Sequence, residues 1–144
     1  MEVKITTLSE NTAGYGFLGE WGLSILVETD GKKVLMDTGP GMSAAYNAKL
    51  LGIDLSAIDD IVLSHGHADH TGGLREILKK CKGASVICHP DLCSAKHVGF
   101  GPDNFRSIGA PFSRDELETI CTHLAQEFPG IFFLNNAGTR LTLK

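Results

Sequence analysis

The sequence predicts an α/β fold of the α+β kind, sheets covered by helices, in one domain over residues 1–144. Three observations carry this. The N-terminal part is strand-rich and holds a two-residue hairpin signal, Asp30-Gly31. The run Ile61-Val62-Leu63 is short and apolar at every position, as in a strand buried on both faces. Strand and helix patterns then alternate, ending in a helical stripe of Leu117, Ile120, Cys121, Leu124 and Phe128.

Taken in order, Val3 to Leu8 alternates as a first strand, and the glycine-rich stretch from Gly14 to Gly19 reads as a loop. Leu23 to Glu28 and Lys33 to Asp37 pair across Asp30-Gly31, and Thr38-Gly39-Pro40-Gly41 breaks the chain. Ser43 to Leu51 is helical and stops at Gly52; Leu55 to Asp59 forms a short helical turn before the strand at 61–63. A helix from Leu74 to Lys80 and a strand from Ala84 to Cys88 follow. Residues 97–112, rich in glycine and proline, read mainly as loop. Ser113-Arg114-Asp115-Glu116 has the capping-box pattern that opens the last helix. Pro129-Gly130 ends it, and Ile131 to Leu134 is a final strand.

The composition, 42% hydrophobic and 21% charged, is that of a soluble globular domain. A net charge of -4 with no Lys/Arg run excludes an electrostatic footprint for nucleic acid, which also disfavours a nuclease. No apolar run approaches membrane-spanning length, so no membrane partner is expected. Met1-Glu2-Val3-Lys4-Ile5 reads as strand rather than secretory leader, and the expected location is cytoplasmic. Cys81, Cys88, Cys93 and Cys121 form no C-x-x-C pair. They read as reduced, buried or half-buried thiols, with a small zinc site involving His89 and His97 as the alternative.

The chemistry concentrates in Ser64-His65-Gly66-His67-Ala68-Asp69-His70. His65 and His67 are two apart, so an extended segment leaving the strand at 61–63 points both imidazoles to one side. On a helix they would diverge by about 200° and could not share an ion. Asp69 and His70 follow as the chain turns into its next helix. Three histidines and an aspartate in six residues are too polar to be core packing; the alternative is a solvated polar loop. Imidazole with carboxylate suits zinc, manganese or iron. Two such ions lower the pKa of a bound water to near neutral, provide metal-bound hydroxide and polarise a substrate oxygen. Asp69 is the candidate to bind the second ion and orient that hydroxide. Asp37, a charged residue ending an apolar strand, is the candidate to hold a ligating histidine in its tautomer, or else a simple turn residue.

Val34-Leu35-Met36-Asp37-Thr38-Gly39, with Ile61 through Leu74, resembles the metallo-β-lactamase superfamily. The resemblance implies an αββα sandwich with two divalent ions, zinc foremost, at one edge between the sheets. His65 and His67 match the ligands of its first metal, Asp69 and His70 those of its second. Glu10-Asn11-Thr12, Gly22-Leu23-Ser24, Asn47 through Leu55, His89-Pro90 and Ile108 through Ser113 resemble a narrower branch. That branch contains a dihydropterin synthase of the methanopterin pathway, which joins a dihydropterin to a ribofuranosylaminobenzene phosphate, and metal-dependent hydrolases. The similarity runs over residues 1–134; residues 135–144 depart from it, and Trp21 stands where relatives often have histidine. The family also uses a further metal-binding histidine, an acidic bridge and a last histidine from a second half of the fold, which have no counterpart here.

His89, His97 and His123 are the other histidines. His123 lies off the apolar stripe of its helix and His97 in the expected loop, whereas His89, at a strand end, is the candidate to face a substrate pocket. Two function classes follow. One is a metal-dependent hydrolase acting on a small, phosphorylated or pterin-like molecule. The other is a half-fold, inactive alone and completed by a homodimer or a complementary chain.

Overall fold

A computed structural model describes residues 2–81, 83–101, 103–127, 132–134 and 140–142, with side chains through residue 120. Five strands form a mixed sheet in spatial order β1-β2-β3-β4-β5. They are β1 (Lys4–Ser9), β2 (Ser24–Glu28), β3 (Lys33–Met36), β4 (Asp60–Leu63) and β5 (Ser85–Cys88). The first three run antiparallel. The Asp30-Gly31 turn closes through Thr29 N–H donating to the Lys32 carbonyl at 2.9 Å. Strands β3, β4 and β5 are parallel. Parallel neighbours need crossovers, and helices supply them. Helix α1 (Ser43–Leu50) joins β3 to β4; α2 (Ala68–Thr71) and α3 (Leu74–Leu78) join β4 to β5.

One cross-sheet row explains why these strands stack in this register. Leu26 pairs with Leu35, Leu35 with Ile61, and Ile61 with Val86, and all four are fully buried. Ala44 and Ala48 of α1 and Leu74, Ile77 and Leu78 of α3 complete the core over them. Leu35→Ala is expected to cost about 3 kcal/mol, as for a fully buried leucine with no room to collapse. Denaturant unfolding checks this; a cost under about 1 kcal/mol would mean that the row is not the packing centre.

The opposite face is apolar too. Ile25, Met36, Val62 and Ile87 form one row, and Ile5, Val27 and Val34 lie beside it. Ile5 is 67% exposed and Met36 38%.

Helix α4 (Arg114–Glu127) begins as the capping pattern predicts, with Ser113 Oγ accepting from Glu116 N–H at 3.1 Å. The reciprocal half of the box does not form, because the Glu116 carboxylate pairs with Arg75 instead. Leu117 is buried in the core and Ile120 packs against it.

Residues 97–112 differ from the expectation of loop. They contain a hairpin, β6 (His97–Gly99) with β7 (Phe105–Ser107), joined by a turn in which Phe100 N–H donates to the Asn104 carbonyl. Its strands are three residues long and mostly exposed, so they carry no alternation to read. Strand β8 (Phe132–Leu134) pairs with β9 (Arg140–Thr142), which lies in the segment read as departing from the family. The helix stop at Pro129-Gly130, and the side chains of Cys121, His123 and Leu124, lie outside the described residues.

Cys81 is buried, Cys88 and Cys93 are half-buried, and all three are free. Burial pushes the Cys81 thiol up to about 12 and the Cys88 thiol to about 11, which keeps both protonated. No helix among the described residues is long and apolar enough to cross a membrane.

Candidate metal centre

The cluster sits where β4 ends. Asp37 follows β3, the parallel neighbour of β4, so both strands deliver their functional residues to the same end of the sheet. Open α/β sheets bind ligands at this carboxyl end. His67 is extended (φ -83°, ψ 149°) and caps the short helix α2, which carries Asp69 and His70.

The expected side-by-side projection of His65 and His67 holds: His65 Nε2 lies 3.0 Å from His67 Nδ1. Two nitrogens bound tetrahedrally to one zinc would stand about 3.3 Å apart. His70 packs its ring 4.2 Å from that of His65, centroid to centroid. His70 Nε2 lies 3.7 Å from Asp69 Oδ2. The cluster thus offers two pairs of donor atoms. Among the described residues, no group of three or more His, Cys, Asp or Glu side chains converges in metal-holding geometry.

Asp37 organises the cluster from beneath. It is fully buried, and its carboxylate accepts from Ser64 N–H at 2.8 Å, Ser64 Oγ at 2.7 Å and His70 Nδ1 at 2.8 Å. A simple turn residue would not be so engaged. The bond to His70 Nδ1 leaves Nε2 of that ring pointing outward with its lone pair. Because Ser64 Oγ gives its proton to Asp37, it accepts from His65 Nδ1–H at 2.9 Å, which assigns His65 the tautomer with an unprotonated Nε2. Burial, then the neighbouring His70 and His67 rings, holds the His65 imidazole below its ordinary range, so the neutral form is favoured. The backbone at Asp37 is left-handed, with φ 56°, a conformation that Asp tolerates better than most residues.

Glycines let the backbones close around these side chains. A Cβ at Gly66 would stand 1.7 Å from the Leu92 carbonyl oxygen. At Gly22, Gly72 and Gly73 the corresponding distances to the Asp69, Pro40 and Thr38 carbonyl oxygens are 2.1, 2.0 and 2.1 Å. Thr38 N–H also donates to the His70 carbonyl, and the Ala68 N–H to that of Ile108.

His89 ends β5. Its Nδ1 accepts from Asp91 N–H at 3.1 Å, capping the 3₁₀ turn Pro90–Cys93, and its side chain is exposed. His97 is an exposed residue of β6. Sequence reasoning missed the open cleft beside the cluster, lined by Glu10, Asn11 and Trp21 together with Asp69 and His70. These segments are far apart in sequence and carry no shared pattern.

A mixed sheet that presents a His-x-His-x-Asp-His cluster at the carboxyl ends of its parallel strands defines a metal-dependent hydrolase fold. Residues 22–135 match the metallo-beta-lactamase superfamily, and the chain belongs to that superfamily. It is 42% identical over 98 residues to the 7,8-dihydropterin-6-methyl-4-(beta-D-ribofuranosyl)-aminobenzene-5'-phosphate synthase of Methanocaldococcus jannaschii, covering 62% of this chain and 33% of that one. A UPF0173 metal-dependent hydrolase of Listeria welshimeri is 50% identical over 72 residues, covering 50% of this chain and 31% of the other. The crystal structure of Tm1679, a metal-dependent hydrolase of the beta-lactamase superfamily, superposes on 90% of this chain and 41% of its own, with a TM-score of 0.62 and 29% identity. The chain spans about a third of the length of the curated relatives it matches.

Proposed function

We propose that the chain holds two divalent metal ions on the cluster and serves hydrolytic chemistry on a small, phosphorylated or pterin-like substrate. The observation that carries this reading is the pairing of donors: His65 Nε2 with His67 Nδ1, and His70 Nε2 with Asp69 Oδ2. In this reading His65 and His67 take the first ion, and Asp69 and His70 the second. Zinc is the first choice, and the same nitrogen and oxygen donors accept manganese or iron. When bound, such ions supply Lewis acidity toward a substrate oxygen and bring water within reach of deprotonation near neutral pH. Asp37 and Ser64 keep Nε2 of His70 and of His65 as lone-pair donors. Asp69, on the first turn of α2, orients the attacking group. The pterin-like alternative for the substrate rests on the methanogen relative's name together with the cleft beside Asp69 and His70.

Metal analysis after reconstitution tests the reading. Two ions per chain are expected, falling to one in His67→Ala and to one in His70→Ala, each with at least a hundredfold loss at the altered position. Protein that retains no zinc, manganese or iron after reconstitution would sink it.

A second reading is that the chain acts only when another polypeptide, or a second copy, covers the open sheet face. The exposure of Ile5 and Met36 within that apolar face favours it. Sedimentation gives the test: a strictly monomeric chain with full hydrolytic activity rules it out.

A further inference from the structure

We propose that His97 and Ser107, opposite each other on the β6–β7 hairpin, hold a carboxylate at the end of the substrate that lies away from the ions. This deepens the metal-centre reading and rests on it for the position of the ions.

Backbone register decides which face these two side chains share. Gly109 bridges His67 in antiparallel fashion, and Ala68 N–H donates to the Ile108 carbonyl at 2.9 Å. Residues paired in an antiparallel ladder project to the same side, and so do residues two apart along a strand. Ser107, two residues before Gly109, therefore lies on the face from which His67 projects. His97 pairs with Ser107 and shares that face. Two contacts agree. Gly66 alternates with His65 and His67, and a Cβ there would stand 2.8 Å from Lys96 Nζ, so Lys96 belongs to the opposite face and the next residue, His97, to the cluster face. Further out, the Phe105 ring comes within 3.2 Å of the Cβ position of its partner Gly99, as residues on one face do.

Ladder and residue spacings put the Cα of Ser107 about 8 Å, and that of His97 about 12 Å, from the Cα of His67. A substrate whose reacting group sits on the ions reaches the pair across a single benzene-sized ring. Both residues are exposed, and among the described residues neither side chain has a hydrogen-bond or ion-pair partner. An imidazole N–H and a hydroxyl side by side are two donors, which the two oxygens of a carboxylate accept. A phosphate dianion would call for a fixed cation, and the cations of this hairpin, Lys96 and Arg106, lie on the opposite face.

NMR titrations of the zinc-reconstituted chain with 4-carboxyphenylphosphonate and phenylphosphonate, neither of which can be hydrolysed, test this. The carboxylated compound is expected to bind about fivefold more tightly, or better, and to shift the Ser107 amide and the His97 ring signals. His97→Ala is expected to abolish that preference and Ser107→Ala to reduce it about threefold, with phenylphosphonate affinity changed less than about twofold in either. Arg106→Ala keeps the preference. Zinc content, measured on each variant, is expected to be unchanged. Benzoate titrated into the metal-free chain is the arm that needs no ions: it is expected to shift the Ser107 amide in the parent and not in His97→Ala. Equal affinities for the two phosphonates in the parent, or a His97→Ala chain that keeps the preference, overturns the proposal and leaves the metal reading standing. A chain that takes up no zinc loses the metal reading; the benzoate arm then decides alone, and an unshifted Ser107 amide overturns the carboxylate site as well.

Discussion

Replacing Asp37 with alanine is expected to lower stability by about 3 kcal/mol and zinc affinity by ten- to a hundredfold. The stability loss has a clear origin. Three donors, Ser64 N–H, Ser64 Oγ and His70 Nδ1, converge on a carboxylate with no solvent access. Removing it empties a fully buried position and takes a charge-assisted bond from each of the three donors. The affinity loss comes from the rings: without Asp37, nothing holds His70 Nε2 outward or draws the Ser64 proton away from His65. Alanine also brings strain at φ 56°, so two further variants separate the causes. Asp37→Gly relieves the backbone and should still lose metal; Asp37→Asn keeps the shape and the left-handed preference, with a smaller effect. Thermal melting should show a drop of about 10 °C for alanine. If alanine melts as the parent and binds zinc equally well, Asp37 is only a turn residue.

The second large effect is expected at Gly66. A methyl group there would sit 1.7 Å from the Leu92 carbonyl oxygen and 2.8 Å from Lys96 Nζ. The opposing turn cannot easily withdraw. Leu92 is buried in the core, and Lys96 Nζ donates to the carbonyls of Asp91, Leu92 and Ser94 at 3.3, 3.1 and 3.0 Å. Gly66→Ala must therefore bend the segment between the two histidines, and a destabilisation of about 3 kcal/mol or more is expected. His65 Nε2 and His67 Nδ1 would no longer converge, so the first ion should be lost even where the chain still folds. Gly14→Ala, which meets nothing within 4 Å, is the control and should be nearly neutral. Similar melting and zinc content in the two variants would mean that the turn yields more readily than its contacts suggest.

Much of this molecule is legible residue by residue. The Asp30-Gly31 hairpin and the spacing of His65 and His67 are local patterns, and each has the predicted form; the strand at 61–63 lies where expected, but only Ile61 and Leu63 are buried, while Val62 is half-buried on the open face rather than covered on both sides. They are legible because backbone geometry repeats every two residues in a strand and about 3.6 in a helix, so burial leaves a periodic trace. The hairpin at 97–107 leaves no such trace, because its short strands are solvent-exposed. His89, read as a pocket candidate, caps a turn through a bond to Asp91 N–H that its strand-end position alone does not reveal.

By itself, the sequence determined the presence, order and spacing of the histidines and aspartate of the cluster, and the strand that delivers them. Only the tertiary structure decided which atoms face one another. Asp37 meets Ser64 and His70 across 27 and 33 residues of chain, and Trp21 and Glu10 meet Asp69 and His70 in one cleft. The reason is physical. Periodicity records which side of an element is buried, whereas these contacts depend on the parallel register of β3 and β4 and on glycines that let loop backbones touch.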